Sequence, residues 1–226
     1  MQPCTIGHAS ELADLRLGRK GAVCHITLSI MIHPDSALRF VSPDIGWGVF
    51  ATRLIPRGTI TWALDVLDQR FSPDAIAELP AYAREFLDRY SYVDRHGDHI
   101  LCWDNARFYN HSCAANCLSV GYDFEIAVRD IQAGEELTDD YGTLNLAEPF
   151  PCACGAAECR GILLPDDHTR IGDQWNALAR EAFVLIPTVA QPLWDILYER
   201  DAIEAALRDP SLVRPIQHHF PSATRK

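Results

Sequence analysis

Long hydrophobic runs are missing from this 226-residue chain: nothing in it approaches the roughly 18 consecutive apolar positions of a membrane span. The nearest candidate, residues 22–32, is short and broken by His25. It follows a basic stretch at residues 16–20, as the core of a signal peptide would, but no small-residue cleavage pattern comes after it. A cytoplasmic protein with no membrane association is therefore expected. Positive charge is also scarce, with 20 Lys and Arg against 31 Asp and Glu and a net charge of −11. Direct binding to a nucleic-acid backbone is not expected, whereas a basic partner would be steered in. Methionine occurs only at Met1 and Met31, and residues 1–30 show neither helical nor strand periodicity. They are expected to be a loose N-terminal extension or to precede a biological start at Met31. Eight cysteines are too few for a disulfide scaffold of this length. Internal repeats, low-complexity tracts and an HExxH-type metal helix are absent as well. What is present, 48% hydrophobic and 23% charged residues, is enough to bury a core.

Apolar runs punctuated by Gly and Pro, Gly46-Trp47-Gly48-Val49-Phe50-Ala51 and then Ile55-Pro56-Arg57-Gly58-Thr59-Ile60, read as short strands joined by tight turns. Ser72-Pro73-Asp74 offers a helix cap with proline at the first helical position. Ala83, Phe86, Leu87 and Tyr90 then recur at helical spacing, so a small helical insert is expected at about residues 72–90. A strand is expected from Ile100 to Trp103, and Leu118-Val120 and Phe124-Ile126-Val128 alternate across Gly121-Tyr122-Asp123 as a hairpin does. Beyond Pro165, Ile171, Trp175, Leu178, Ala179, Ala182 and Phe183 form one helical stripe ended by Pro187, and a second helix is expected between Pro192 and Asp209. These stripes read first as core packing; the helices are also candidates for closing a substrate channel or for a homodimer surface.

Cys152-Ala-Cys154-Gly-Ala-Ala-Glu-Cys159 places three thiols within eight residues. Cysteines two apart are poorly placed to bridge each other, whereas thiolates around a tetrahedral zinc fit such a tight loop readily. Three ligands leave one position to fill, and the nearest upstream thiols are Cys113 and Cys117. A redox-active or simply reduced cluster is the rival reading. Cys4, Cys24 and Cys102 are isolated and read as small buried hydrophobes.

Taken in order, Gly46-Trp47-Gly48-Val49-Phe50-Ala51, Arg107-Phe108-Tyr109-Asn110-His111-Ser112-Cys113 with Asn116-Cys117, Gly134-Glu135-Glu136-Leu137-Thr138-Asp139-Asp140-Tyr141-Gly142 and the loop ending Cys159-Arg160-Gly161 resemble a SET-domain protein-lysine methyltransferase with its post-SET zinc loop, of the small bacterial type. The resemblance covers about residues 38–164. It implies a mainly β fold with α: several small β-sheets with a pseudoknot, a short helical insert, a zinc-bound post-SET loop and C-terminal helices. The corresponding divisions are residues 1–30 as an extension, 31–145 as the SET domain, 146–164 as the post-SET loop and 165–226 as a helical extension.

The resemblance also implies roles. Gly46, Trp47 and Gly48 match the turn whose backbone approaches S-adenosylmethionine, where glycine suits a close approach. Asn110 and His111 match the pair that holds the cofactor's amino-acid and adenine ends. Tyr141 matches the active-site tyrosine beside the transferring methyl group and the cofactor. Cys113, Cys152, Cys154 and Cys159 match the four ligands of one structural zinc. Tyr90, Tyr92 and Asp139 are candidates for lining the substrate channel. The implied reaction is in-line transfer of methyl groups to a lysine ε-amine of a lysine-rich protein, with histone, histone-like and ribosomal proteins all suitable. A free lysine is neutral only about once in 2,500 molecules at pH 7, a deficit of roughly 4.6 kcal/mol that the site has to offset. The rival function is a non-catalytic, zinc-stabilised SET-like module that binds a basic partner. A Cys–His hydrolase on Cys113 and His111 is disfavoured, since a metal-bound thiolate is not a free nucleophile.

Two departures from the family pattern bear on the lysine. Asp139 stands where many members carry an aromatic residue, and in an extended segment residues 139 and 141 share a face. An ionised carboxylate there would hold the amine as ammonium, so Asp139 is expected to turn to solvent, to read a charged substrate feature or to alter activity. Trp62-Ala63-Leu64-Asp65 stands where the family often has glutamate-tyrosine and then glycine.

Overall fold

The computed structural model describes residues 32–221, so the expectations for residues 1–30 and for Met31, Cys4 and Cys24 lie outside the described residues. In chain order the elements are β1 (Ser36–Ser42), β2 (Gly46–Ala51), β3 (Ile60–Ala63), β4 (Gln69–Phe71), α1 (Pro73–Ala77), α2 (Ala81–Tyr90), β5 (Ser91–Val93) and β6 (His99–Leu101). There follow β7 (Asn110–His111), β8 (Cys117–Ser119), β9 (Phe124–Ala127), β10 (Glu136–Asp139), β11 (Phe150–Pro151), β12 (Ile162–Leu163), α3 (Asp167–Arg170), α4 (Gly172–Phe183) and α5 (Arg200–Arg208). The fold is mainly β with α, built from small sheets ordered β1-β2-β10-β7, β3-β9-β8, β4-β6-β5 and β11-β12.

Local chemistry explains the elements. Gly46 closes the β1–β2 hairpin at φ +90°, a conformation that a side chain would strain. Ser72 caps α1, its Oγ accepting the Ala75 N–H at 3.2 Å, with Pro73 in the first turn. The strand expected at residues 100–103 is His99–Leu101 and stops short of Trp103, whose N–H donates to Asp68 Oδ1 at 3.1 Å instead of to a ladder. The helix expected between Pro192 and Asp209 begins only at Arg200. Leu193 and Leu197 are both buried, and Leu197 reaches the core by taking an extended conformation (ψ 128°) that ends the preceding turn.

The main core lies between strands β8 and β9 and the C-terminal helices. Tyr122, Phe124 and Phe183 stack with centroids 5.8–6.5 Å apart, and Trp175, Ala179, Ile203 and Phe220 close around them. The apolar stripe of α4 is thus used largely inside the chain, apart from the exposed Leu178. A second core of Val49, Ile55, Tyr109, Cys117 and Leu137 lies beneath the β1-β2-β10-β7 sheet. Cys102 is buried as a small hydrophobe.

Candidate functional site

The long-range pairing of β2 with β10 and of β10 with β7 draws the three motif segments together, with Thr138 opposite Asn110 and Asp139 opposite His111 in a parallel pair. Asn110 Nδ2 donates to the Trp47 carbonyl at 3.1 Å and to Glu136 Oε1 at 2.7 Å. Both amide protons are therefore directed and Oδ1 is left as an acceptor. Gly48 packs so closely against this pair that a Cβ would meet Asn110 Nδ2 at 2.9 Å and collide with Glu136. At Gly46 a Cβ would stand 3.7 Å from Arg89 Nη2. Arg89, on α2, has no carboxylate within ion-pair distance among the described residues. Trp47 is half exposed, its ring edge-on to Phe40 at 5.8 Å.

Tyr141 opens a 3₁₀ turn directly after β10. Its hydroxyl donates to the Tyr109 carbonyl at 2.7 Å and its N–H to His111 Nδ1 at 3.2 Å, and its ring packs on His111 and Phe150 at 5.4 and 5.8 Å. Burial, and then the nearby Asp139 charge, push the phenol well above its ordinary range, so it acts here as a neutral donor. With Nδ1 accepting, His111 is the tautomer with its proton on Nε2, which faces Cys113 Sγ at 3.3 Å; burial lowers its pKa and favours this neutral form.

Asp139 does not turn to solvent. It is 2% exposed, its Oδ1 accepts the Asp140 N–H at 2.6 Å, and it shares a hydrogen bond with the buried Glu125 of β9. Burial pushes Asp139 up to about 7, and burial with the Asp139 charge pushes Glu125 well up, because two facing buried carboxyl groups oppose each other's ionisation. Glu125 Oε2 and the indole Nε1 of Trp62, its cross-strand partner, are buried without a hydrogen-bond partner. Of the other channel candidates, Tyr92 packs edge-on against Trp62 at 5.8 Å, and Tyr90 against Phe86 and Phe108 at 4.8 and 5.6 Å; neither ring packs on Tyr141.

The cysteine loop folds back onto Cys113. Cys113 Sγ lies 3.8 Å from Cys152 Sγ, Cys159 Sγ lies 3.6 Å from Cys152 Sγ, and the Cys113 N–H points at Cys154 Sγ at 3.3 Å. Thiolates bound at about 2.3 Å to one tetrahedral zinc stand about 3.8 Å apart, which the Cys113–Cys152 and Cys152–Cys159 spacings match. Partial burial works against a thiolate at Cys154, but the N–H groups of Cys113 and Ala156 outweigh it and bring the thiol down to about 6. Cys117 is not part of the group; it is fully buried in the second core. The donor atoms that all lie within 4.8 Å of one another belong to His111, Cys113, Cys152 and Cys154; His111 was missed by sequence spacing, and the expected ligand Cys159 is outside this group, close to Cys152.

Sequence reading also missed Arg160 and Trp175 as neighbours of the site. Arg160 donates to Cys113 Sγ, Asp140 and Asp167, and Trp175 Nε1 donates to Asp140 Oδ2 at 3.1 Å. A separate concavity of about 350 Å³ is lined by Leu64, Asp65, Asp68, Asp123 and Tyr198 among others and takes in none of the predicted site residues.

A glycine turn, an Asn-His pair and a strand-ending tyrosine are thus joined through one short parallel ladder. Residues 46–142 match the family model for the SET domain. The chain is 49% identical over 65 residues to an H3 lysine-4 specific histone-lysine N-methyltransferase of Schizosaccharomyces pombe, covering 26% of this chain and 7% of that protein. It is 30% identical over 142 residues to the histone-lysine N-methyltransferase ash1 of Drosophila melanogaster, covering 55% of this chain and 6% of that one. Both relatives are thus many times longer than the part matched. Among solved structures, the methyltransferase domain of human SETMAR aligns with a TM-score of 0.41 at 19% identity, over 59% of this chain and 58% of that chain.

Proposed function

We propose that this chain is an S-adenosylmethionine-dependent protein-lysine N-methyltransferase. The observation that carries the reading is the convergence on Tyr141: its hydroxyl is fixed on the Tyr109 carbonyl, while Asn110, His111 and the Gly46–Gly48 turn meet beside it. The cofactor supplies the methyl group, on its sulfonium centre. The crowding at Gly48 and the free acceptor of Asn110 fit its amino-acid end, and Arg89, facing Gly46 without a carboxylate of its own, suits its carboxylate. Tyr141 and the Tyr109 carbonyl orient the amine, and burial at this point favours its neutral form. Cys113, Cys152, Cys154 and Cys159 are the proposed zinc ligands, in a post-SET loop that ties residues 146–164 to Tyr141; reduced thiols suit a reducing compartment such as the cytoplasm. No helix among the described residues is long and apolar enough to cross a membrane.

A lysine-rich protein is the proposed substrate. The net charge of −11 favours it, and the relatives named above are methyltransferases of histone lysines. The test is to incubate the chain and Tyr141→Phe with labelled S-adenosylmethionine and, separately, histones and ribosomal proteins, and to measure cofactor affinity by calorimetry. The expected outcome is lysine labelling by the unmodified chain and at least a hundredfold less by the variant, with cofactor affinity within about threefold. Cofactor binding without labelling in any fraction would favour the rival reading, a binding module, to which the Asp139–Glu125 pair beside Tyr141 lends its only support.

A further inference from the structure

Arg160 belongs to the cysteine loop, yet its side chain leaves that loop. Its backbone N–H and its Nε both point at Cys113 Sγ at 3.4 Å. Its Nη1 donates to Asp167 Oδ2 at 3.1 Å, and its Nη2 to Asp140 Oδ1. The two carboxylates are almost wholly buried, with side chains 3% and 2% exposed. Asp140 is the residue before Tyr141, and its carboxylate builds the turn that carries the tyrosine: Oδ1 accepts the Gly142 N–H at 3.0 Å and Oδ2 accepts the Trp175 indole N–H at 3.1 Å. Trp175 in turn lies under the guanidinium, 5.8 Å from it. Three edges of one planar group thus face a sulfur of the cysteine cluster, the Tyr141 turn and the start of α3. A lysine ammonium, a point donor on a flexible stem, cannot span all three.

From this geometry we infer that Arg160 is a positioning residue that transmits the state of the cysteine cluster to Tyr141 through Asp140. A metal that draws Cys113 Sγ into its shell fixes the sulfur on which Arg160 Nε rests, and so fixes the fork that holds Asp140. With the cluster empty, only the Arg160 N–H groups, the His111 ring and neighbouring thiols hold Cys113 Sγ, and if it turns away one of the guanidinium's three supports is lost. The inference rests on Tyr141 as the residue at the methyl group, but its main readout does not. Trp175 Nε1–H, bound to Asp140, gives a ¹⁵N-indole NMR signal that can be assigned by its loss in Trp175→Phe. Zinc added alone to the metal-free full chain is expected to move that signal, and in Arg160→Lys to leave it in place although cysteine absorbance shows zinc bound. Arg160→Lys is further expected to lower kcat roughly ten- to hundredfold, with KM for the cofactor within about twofold. An indole signal that ignores zinc in the unmodified chain, or follows it equally in Arg160→Lys, overturns the inference, as does a kcat that falls only in proportion to lost metal. If Arg160→Lys does not fold, the zinc response of the unmodified chain still decides. Should the chain transfer no methyl group at all, the enzymatic reading fails while the indole response still tests the coupling.

Discussion

The carboxyl group of Asp139 is buried; its neighbours are a second carboxyl group, Glu125, and the Asp140 N–H. Its raised pKa, about 7, has a direction that can be checked. A folded-state pKa above the usual value near 4 means that the folded chain binds more protons than the unfolded chain between the two. Asp139 therefore costs no stability below about pH 4, and its cost grows as pH rises toward about 7 and is constant beyond. Asp139→Asn keeps the shape, the acceptor for Asp140 and a donor for Glu125. It is expected to gain about 1 kcal/mol above pH 7, roughly 2–4 °C in Tm, and nothing near pH 4; melting curves from pH 4 to pH 8 would show the two chains converging at the acid end. The carboxyl pair was out of reach of sequence reading for a physical reason. Alternation in Phe124-Ile126-Val128 places Glu125 on a solvent face, but β9 is the central strand of its sheet and both its faces are covered, so all four of its residues are buried. Tyr141, Asn110 and the glycines were legible because each sits in a short motif, whereas Arg160 and Trp175 meet Asp140 across 20 and 35 residues of chain.

At the scale of elements, the loop from Phe150 to Leu163 has few apolar anchors: Leu163 is buried and Phe150 packs on Tyr141, and the other ties are the thiols and the Arg160 bonds to Asp140 and Asp167. Its two-residue strands β11 and β12 pair only with each other, through Phe150–Leu163 and Pro151–Ile162, and Phe150 and Ile162 are exposed. A loop with so small an apolar anchor is expected to gain much of its order from a metal bound at its thiols. Removing zinc with a strong chelator is expected to lower Tm by about 10 °C or more and to open residues 150–163 to limited proteolysis, leaving the α2 segment uncut. Equal cleavage with and without chelator would show that the thiols order the loop unaided. The spacing of the four cysteines was readable in the sequence; that the loop lies against the His111 ring was not, since it depends on how β7 enters the sheet.

For the whole molecule, the C-terminal segment supplies more than half of the main core. Trp175, Phe183, Ile186, Leu193, Leu197 and Phe220 are each buried against it, at roughly 1.5–3 kcal/mol apiece, while an entire domain is stable by only about 5–15 kcal/mol. A chain cut after residue 164, where the family resemblance ends, is therefore expected to be insoluble or molten, with far-UV signal but no cooperative thermal transition. A soluble fragment with a sharp melt would mean that the strands fold alone. The segments around Tyr141 also meet across long stretches of chain: Asn110 reaches back 63 residues to Trp47, Tyr141 reaches back 32 to Tyr109, and Asp140 reaches forward 35 to Trp175. No two of these contacts share a local turn, so none can form early at low entropic cost. On the ribosome, a chain that has emerged only as far as Tyr141 holds the tyrosine but not the tryptophan that steadies its neighbour. The site is then among the last parts of the protein to come into being, and the nascent chain passes most of its synthesis without one.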